Sequence, residues 1–271
     1  MPGRLAHMLL NRRVPVRTRL GLLLTEARRW ARPKPVYSPR YGRGRVLLSG
    51  SDYEIDWKTL AWVLADEVYA TDYDGAVVLD IGAHKGYFGA YALAHGARTV
   101  ISFEPETENA RLLELSAASF RASGAHWLIR RTAVGAMKGE TELHVMGGSW
   151  GHAINPPEAF AEYEVGIQRV TVDAMSDVLD DAVTLAGESP LVVKINVEGD
   201  ECPLVLGTPA SSWQHVSELF VEMHPWATCG DDELAAHVEA AGLRSVVGAH
   251  PRVLRLRREA EPRSGPRSAP R

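Results

Sequence analysis

The sequence predicts an α/β fold, in which strands buried on both faces of an open sheet alternate with helices. Three stretches predict it. Residues 77–81 form a nearly unbroken apolar run, the pattern of a strand buried on both faces, and lead through a glycine-bearing turn into a helical pattern over residues 88–95. Residues 98–104 and 191–199 repeat the design, with polar residues where each strand ends. A sheet of this kind forms its pocket at the carboxyl ends of its strands.

The composition is that of one large globular domain. The chain has 271 residues, of which 45% are hydrophobic and 24% are charged. Its two cysteines, Cys202 and Cys229, predict neither a disulfide framework nor a zinc site. The longest apolar run near the N-terminus, residues 20–24, is too short for a membrane span or a secretory signal. We therefore expect a cytoplasmic protein.

The net charge of −4 is unevenly distributed. Residues 1–45 hold 12 Lys and Arg against one acid, and residues 251–271 hold seven Arg against two acids, whereas residues 46–250 hold 11 basic and 31 acidic residues. The basic ends could bind the acidic body, an anionic partner or a membrane surface, or remain solvated. We predict a basic N-terminal arm (1–45), a main domain (46–258) and a disordered tail (259–271).

The elements before the opening strand follow from spacing and caps. Apolar residues between the arginines of the arm predict short amphipathic helices interrupted near Pro15, and we favour packing on the domain or on a second subunit over contact with lipid. Residues 46–49 predict a short strand. Residues 57–69 predict a helix with Asp56 as its cap, placed to cover the pocket.

The later elements are predicted in the same way. Pro105 marks the start of a helix, and residues 127–134 predict a third strand. The alternation over residues 140–145 indicates an antiparallel addition. Residues 147–169 predict a long irregular loop that either contacts substrate or is a passive insertion. The remaining predictions are strands over 169–173, 219–225, 243–247 and 252–256, a short helix through 179 and a helix over 231–241.

The turn after the opening strand indicates a nucleoside ligand. A dinucleotide fingerprint has glycines at relative positions 1, 3 and 6, but the middle position here is His84, whose side chain opposes close approach of a pyrophosphate. Glu104 ends the second strand 24 residues after Asp80, where a carboxylate can accept both hydroxyls of a ribose. S-adenosylmethionine is the commonest such ligand. A turn without a ligand and a solvent-facing Glu104 remain the alternatives.

Five segments in order resemble the FkbM family of S-adenosylmethionine-dependent methyltransferases. They are residues 78–86, 103–105, 133–135, 194–201 and 221–225. The resemblance implies a class I methyltransferase (Rossmann-like) fold, which is a seven-stranded, mostly parallel sheet with helices on both faces and an antiparallel final hairpin. It also implies S-adenosylmethionine as the cofactor and a methyltransferase domain over residues 46–258.

The resemblance assigns the cofactor site to the turn and to the ends of the second and third strands. Glu104 would hold the ribose, and the third strand would lie by the adenine. The family usually has Asn where this chain has His84, and Asp where it has Asn196; His84 can still donate a hydrogen bond, and it can titrate. The implied cofactor-binding residues are Asp80, Gly82, His84, Gly86, Glu104, Ala133 and Val134.

The candidate catalytic residues are His224, Glu198, Asn196 and Glu222, at the carboxyl ends of adjacent predicted strands. Methyl transfer depends on orientation of the nucleophile, and a hydroxyl must also lose its proton to a base. His224, tuned by Glu222, is our first choice for that base, and a structural His before a proline is the alternative. We expect Lys194 to pair with one of these acids and expect no metal ion.

The resemblance to the FkbM family implies O-methylation of a hydroxyl on a small molecule, either a sugar or a secondary metabolite. Two alternatives stay open. One is a nucleic-acid methyltransferase that uses the basic arm, although the acidic body counts against it. The other is an S-adenosylmethionine-binding protein without catalysis, suggested by His84 and Asn196. The sequence predicts neither the acceptor's identity nor the oligomeric state.

Overall fold

The computed structural model describes Val14, residues 16–31 and residues 34–259. The apolar positions Leu5, Met8 and Leu9, the predicted interruption at Pro15 and the tail beyond residue 259 lie outside the described residues. The predicted division into arm, domain and tail therefore stays a prediction.

The described chain begins with a helix and two small ribbons. Helix α1 (Val16–Ala31) is followed by β1 (Val36–Tyr37), β2 (Arg40–Tyr41), β3 (Gly44–Arg45) and β4 (Leu48–Ser49). Strand β1 pairs with β4 and β2 pairs with β3, both antiparallel. Helix α2 (Tyr53–Leu64) follows. Leu22 of α1 and Tyr37 and Tyr41 of the ribbons belong to the same hydrophobic core as α2.

Seven strands of the described chain form the central sheet. They alternate with helices α3 to α7, and their bounds are β5 (Val77–Ile81), α3 (Tyr87–Ala94), β6 (Thr99–Phe103), α4 (Thr107–Arg121), β7 (His126–Arg130), α5 (Met175–Ala186), β11 (Leu191–Ile195), α6 (Glu201–Gly207), β12 (Glu218–Glu222), α7 (Asp231–Glu239), β13 (Leu243–Val246) and β14 (Val253–Arg258). Between β7 and α5 the chain forms a second, three-stranded sheet.

The strand order across the central sheet is β13, β14, β12, β11, β5, β6, β7. Strand β14 runs antiparallel to both of its neighbours, and the other paired strands run parallel. This is the order of the class I methyltransferase fold, so the predicted fold class is confirmed. The order reverses between β5 and β11, and α/β sheets bind their ligands at such a switch point.

A second sheet of the described chain has three strands, β8 (Ala133–Gly135), β9 (Gly139–Met146) and β10 (Glu164–Ala174), in the order β8, β10, β9. The predicted single strand over residues 127–134 was therefore wrong, because the chain leaves the central sheet after β7. The Thr132 hydroxyl donates to Asp173 Oδ2 at 2.7 Å and holds that bend against β10. The antiparallel addition predicted at residues 140–145 exists, but it pairs with β10.

Several predicted boundaries differ from the structure. Asp56 lies inside α2, fully buried, because its carboxylate accepts the Ser49 N–H at 2.6 Å rather than capping the helix. The cap of α4 is Glu106, whose side chain accepts the N–H groups of Glu108 and Asn109, so the helix starts after Pro105. The predicted loop over residues 147–169 is shorter, since a 3₁₀ helix (Glu158–Tyr163) and β10 occupy its second half.

Helices cover both faces of the central sheet and form two cores. One core lies under α2, α3 and α4 and includes Trp57 and Trp127, and the other lies under α5, α6 and α7 and includes Leu179 and Trp213. Their arrangement leaves the carboxyl ends of β5, β6, β11 and β12 facing a common cleft.

A disulfide joins Cys202 in α6 to Cys229, 27 residues later in the loop before α7. The composition did not predict it, because two distant cysteines carry no pairing signal until the fold brings them together. Disulfides persist in oxidising compartments and are rare in the cytosol, so this bond does not favour the cytoplasmic location, which stays a prediction. Among the described residues, no helix is long and apolar enough to cross a membrane.

Candidate active site

The cleft has a volume of about 950 Å³ and lies over the carboxyl ends of the parallel strands. The turn after β5 and the residue after β6 line one side, which we call the cofactor half. The residues after β11 and β12 line the other side, which we call the acceptor half. Helix α2 borders the cleft with Ile55, Lys58 and Trp62, as expected of a covering helix.

Glycine is required at position 82, where the turn after β5 approaches the residue that follows the neighbouring strand β11. Its φ is +72°, and a Cβ at this position would lie 1.7 Å from the Asn196 carbonyl oxygen. Only glycine allows both this conformation and this approach. The two halves of the cleft therefore meet backbone to backbone at Gly82 and Asn196.

A buried lysine supports the same turn from below. Lys194 Nζ donates to Asp80 Oδ1 at 3.0 Å, to the Gly82 carbonyl at 2.7 Å and to the Ile81 carbonyl at 3.2 Å. Our expectation that Lys194 pairs with an acid of the catalytic group was wrong, because the strand register places it opposite Asp80. Asp80 is fully buried and acts on the turn through this ion pair.

Gly86, the last glycine of the implied cofactor site before α3, has a packing role. It adopts φ +87° as the N-cap residue of α3, and a Cβ there would lie 2.5 Å from Leu113 and 3.0 Å from Trp127. The glycine lets α3 pack closely against α4 and β7. It therefore shapes the turn from behind.

Glu104 lies at the end of β6, buried and bordering the cleft. Its Oε2 accepts the His84 N–H at 2.7 Å, and its Oε1 accepts the Glu106 N–H at 2.9 Å. Burial raises the pKa of this carboxyl to about 8, against the opposing effect of the two N–H groups. Each carboxylate oxygen retains further acceptor capacity, so the group can still bind ligand hydroxyls.

His84 contributes an imidazole to the wall of the cofactor half. Both of its ring nitrogens are buried and have no hydrogen-bond partner among the described residues. Burial, and then the charge of Lys85, hold the pKa of His84 well below its usual value, so the ring is neutral. Its φ is +53°, which is uncommon for a residue with a side chain and is typical of functional sites.

Apolar side chains form much of the remaining wall of the cofactor half. Ala133 and Val134 of β8 line it together with Phe103, Leu143 and Ile154. An apolar surface of this kind suits an aromatic base. The bend that separates β7 from β8 is what turns the two predicted residues toward the cleft.

The acceptor half is organised around His224. Its Nδ1 lies 2.8 Å from Glu201 Oε1, and its Nε2 lies 3.3 Å from Glu198 Oε2. Glu201 is fully buried, and the same oxygen also accepts the N–H groups of Val197 and Gly199 at 3.3 and 3.1 Å. A carboxylate fixed in this way holds the imidazole with Nδ1 protonated, and Nε2 then faces the Glu198 carboxylate, which borders the cleft.

The charges around His224 change its affinity for protons. Burial alone would lower the pKa of His224, but the hydrogen bond with Glu201 and the charges of Glu198, Glu201 and Glu222 together raise it above its usual value. Burial in turn raises the pKa of Glu198. Glu222, which we expected to tune this histidine, contributes the smallest of these charges, and the carboxylates in contact are Glu201 and Glu198.

Glu222 and Asn196 form a second polar group in the acceptor half. Glu222 Oε2 accepts the Tyr69 hydroxyl at 2.8 Å and the Asn196 Nδ2–H at 3.1 Å. This orients the Asn196 amide, whose Oδ1 is buried and has no hydrogen-bond partner among the described residues. Asn196 borders the cleft, and the acceptor capacity of its Oδ1 is not used by any group in the described part of the chain.

Sequence reasoning did not single out Glu201, Tyr69 or Trp226 as site residues. Trp226 Nε1 donates to the Glu198 carbonyl at 3.1 Å, and its ring lies 4.9 Å from that of His224. Glu201 was visible only as the end of a matched segment, three residues after Glu198. Its contact with His224 spans 23 residues, and no spacing rule predicts such a contact.

The disulfide fastens the acceptor half together. Cys202 follows Glu201 directly, and Cys229 follows the segment that carries His224 and Trp226. The described residues contain no group of three or more His, Cys, Asp or Glu side chains arranged to hold a metal ion.

Comparisons with known proteins give a general likeness to methyltransferases. The chain is similar to methyltransferase FkbM from Methylobacillus flagellatus, with 14% identity over 76% of this chain and 55% of that chain and a TM-score of 0.47. It is also similar to a SAM-dependent methyltransferase from Agrobacterium tumefaciens, with 10% identity over 83% of this chain and 70% of that chain and a TM-score of 0.40.

A ribosomal protein L11 methylase from Lactobacillus delbrueckii subsp. bulgaricus is similar at 11% identity, over 75% of this chain and 80% of that chain, with a TM-score of 0.37. The chain thus spans about half the length of the Methylobacillus protein. No protein-family model and no curated protein matches the chain. These similarities concern the fold, and the assignment of the fold rests on the strand order.

Proposed function

We propose that this chain is an S-adenosylmethionine-dependent methyltransferase that methylates a hydroxyl group of a small molecule, either a sugar or a secondary metabolite. One observation carries the proposal. A single cleft at the switch point of the sheet joins a buried carboxylate suited to a ribose, Glu104, to a histidine suited to proton removal, His224.

The cofactor half fits S-adenosylmethionine on three counts. Glu104 supplies a carboxylate for the ribose hydroxyls, and the apolar surface at Ala133 and Val134 suits an adenine. The turn at Gly82 borders the space between them and the acceptor half, where the methionine portion would lie. When bound, the cofactor supplies an electrophilic methyl group on a sulfonium.

The acceptor half would remove the proton from the acceptor hydroxyl. His224 is the base, because Glu201 fixes its Nδ1–H and leaves Nε2 for the incoming proton. The positive charge that forms on the imidazole would be stabilised by Glu201 and Glu198. Asn196 Oδ1 would accept a neighbouring hydroxyl and so align the reacting oxygen.

The charge and shape of the acceptor half favour a neutral, hydroxylated molecule over a nucleic acid. Glu198, Asp200 and Glu222 border it, and their charges oppose the approach of a phosphate backbone. Trp62 and Trp226 add flat apolar surfaces on which a sugar or other ring can pack. Carboxylates are in turn good acceptors for hydroxyl groups.

The experiment is a transfer assay with labelled S-adenosylmethionine. Purified full-length protein is offered sugars and hydroxylated metabolites, and separately RNA, DNA and amines, and the methylated product is located by mass spectrometry. We expect label on an oxygen of a small molecule. Label in RNA or DNA would replace the small-molecule proposal, and cofactor binding without transfer to any acceptor would contradict catalysis.

Three variants separate the roles of the two halves. His224→Asn is expected to lower kcat by roughly 10²–10⁴-fold while cofactor binding persists, because removing a general base costs about this much. Glu104→Ala is expected to weaken cofactor binding, measured by calorimetry. His215→Asn is the matched control, since His215 is exposed and lies outside the cleft. Equal activity of His224→Asn and His215→Asn would exclude His224 as the base.

A further inference from the structure

Helix α1 (Val16–Ala31) turns most of its apolar side chains away from the protein, so Leu20, Leu23 and Leu24 do not pack on the domain. The side chains packed on the domain are Thr18, Leu22 and Thr25. The opposite side of the helix is apolar along its length, and we call it the outer face of α1: Val16, Leu20, Leu23, Leu24, Ala27, Trp30 and Ala31. These positions recur at intervals of three and four, so they form one stripe.

The outer face is exposed to an unusual degree. Its five large side chains are between 41% and 78% exposed, with Trp30 the most exposed. A surface helix normally has the reverse arrangement, with its apolar stripe against the core. A contiguous exposed apolar stripe of this kind marks a surface that binds something else.

The charges beside the outer face select an anionic partner. Arg17 and Arg28 are exposed and lie three helical turns apart, at the same margin of the stripe. Glu26, the acid of this helix, is engaged within the protein, because its Oε2 accepts the Tyr53 hydroxyl at 2.7 Å and its Oε1 accepts the Trp30 Nε1–H at 3.2 Å. The sequence adds Arg12 and Arg13 just before the helix. A basic helix with an apolar face is the pattern that lies on anionic lipid.

Pairing of two copies through this face is less favourable than contact with lipid. In a two-fold antiparallel pair, the margin with Arg17 and Arg28 of one helix would approach the same margin of the other, and like charges would oppose association. Anionic headgroups would neutralise these arginines instead. A helix of 16 residues is about 24 Å long, which suits lying along a surface, and it does not qualify as a membrane span.

We propose that the outer face of α1 binds the surface of a bilayer that contains anionic lipids, with the helix lying flat at the level of the headgroups. Leu20, Leu23, Leu24 and Trp30 enter the apolar boundary, and Arg17 and Arg28 contact the headgroups. Contact with the bilayer would also orient the cleft, because Glu26 is bonded to Tyr53, the first residue of α2, and α2 borders the cleft.

The test is co-sedimentation of the full-length protein with vesicles of phosphatidylcholine, with and without phosphatidylglycerol. We expect binding to the mixed vesicles that weakens as salt is added. Leu20→Gln/Leu24→Gln is expected to lower the partition coefficient by at least about tenfold, since burial of even one leucine side chain contributes a factor of that size. Glutamine retains good helix propensity, so α1 should persist.

The matched control is Val165→Gln/Ile167→Gln, which alters two equally exposed aliphatic residues of β10 and should bind as the wild type does. Arg17→Gln/Arg28→Gln should weaken binding to the phosphatidylglycerol vesicles and leave the weak binding to phosphatidylcholine unchanged. All variants are first compared by circular dichroism and by Tm.

Three results would overturn the proposal. The wild type could fail to sediment with either kind of vesicle. Alternatively, Leu20→Gln/Leu24→Gln and the control Val165→Gln/Ile167→Gln could bind equally well. Analytical ultracentrifugation could instead show a wild-type dimer that Leu20→Gln/Leu24→Gln converts to a monomer, without vesicle binding. That last result would assign the outer face to a second copy of the chain.

Discussion

The two halves of the cleft are built from the same kind of element but treat their charges differently. In the cofactor half, Asp80 is matched by Lys194, and Glu104 accepts two backbone N–H groups. In the acceptor half, the charges of Glu198, Glu201 and Glu222 act on one histidine, and the only one of the three acids near an arginine is Glu222, 3.5 Å from Arg252, among the described residues. The cofactor half thus compensates most of its charge within the protein, whereas the acceptor half retains a surplus of negative charge.

This difference in charge indicates different roles for the two halves. A buried ion pair with all its partners in place fixes a turn, because moving either group would leave a buried charge uncompensated. A group of acids around one base holds that base with a raised proton affinity, and Asn196 Oδ1 beside them has no hydrogen-bond partner among the described residues. The cofactor half therefore acts mainly as a scaffold, and the acceptor half is poised for proton transfer.

The largest expected effect tests whether the cofactor half is such a scaffold. Lys194→Met leaves Asp80 as a buried, uncompensated carboxylate, so we expect the free energy of unfolding to fall by about 3–5 kcal/mol, measured by urea denaturation. Asp80→Asn/Lys194→Met should recover part of the loss, because no isolated charge remains. Lys138→Met, at an exposed lysine, is the control and should change little.

If Lys194→Met were as stable as Lys138→Met, the ion pair would not fix the turn, and the cofactor half would not differ from the acceptor half in this respect. The same conclusion would follow if Asp80→Asn/Lys194→Met lost as much stability as Lys194→Met, because the cost would then arise from lost packing of the lysine stem.

The second effect concerns the acceptor half and appears in the pH dependence of activity. The raised pKa of His224 means that its basic form accumulates only above the usual histidine value, so kcat/KM should fall as pH falls through that raised pKa. Glu201→Gln keeps an oxygen acceptor for Nδ1–H but removes the charge. We expect the acidic limb of the profile to move to lower pH by roughly one unit or more.

Glu233→Gln, at an exposed glutamate of α7, is the control for this shift. Because Glu201 acts through His224, it is a positioning residue, and a limb that does not move would show that its role is only structural. A limb that moves equally in both variants would assign the shift to net charge.

The sequence allowed more of the cofactor half to be predicted than of the acceptor half. The fold class followed from the apolar runs and the matched segments, and the placing of Gly82 and Glu104 followed from their positions at strand ends. These features depend on local backbone geometry. The partner of Lys194 depended on register between β5 and β11, which a pattern within one strand does not specify.

The acceptor half depends on contacts between distant segments. Glu201 meets His224 only after α6 and the end of β12 have packed together, and the same packing brings Cys202 to Cys229. The spacing of apolar residues in α1 predicted an apolar stripe but not that the stripe faces away from the core. Periodicity shows that a stripe exists and not which side of the helix packs on the domain.

The smallest effect concerns Glu104, whose charge in the cofactor half is not matched by a cation in an ion pair among the described residues. Burial raises its pKa although two backbone N–H groups donate to it. Its pKa is about 8 in the folded protein, against 4.5 when unperturbed. Between these values the folded state binds more protons than the unfolded state, so stability should fall as pH rises, by at most about 1.4 kcal/mol per pH unit.

Glu104→Gln cannot titrate and should lose this slope, which urea denaturation of the ligand-free proteins at about pH 6 and about pH 8 would measure. Parallel slopes in the two proteins would contradict the raised pKa. Added S-adenosylmethionine should flatten the slope of the wild type alone, because hydroxyl donors stabilise the charged carboxylate and lower its pKa. If the cofactor left the wild-type slope unchanged, Glu104 would not be the group that binds the ribose.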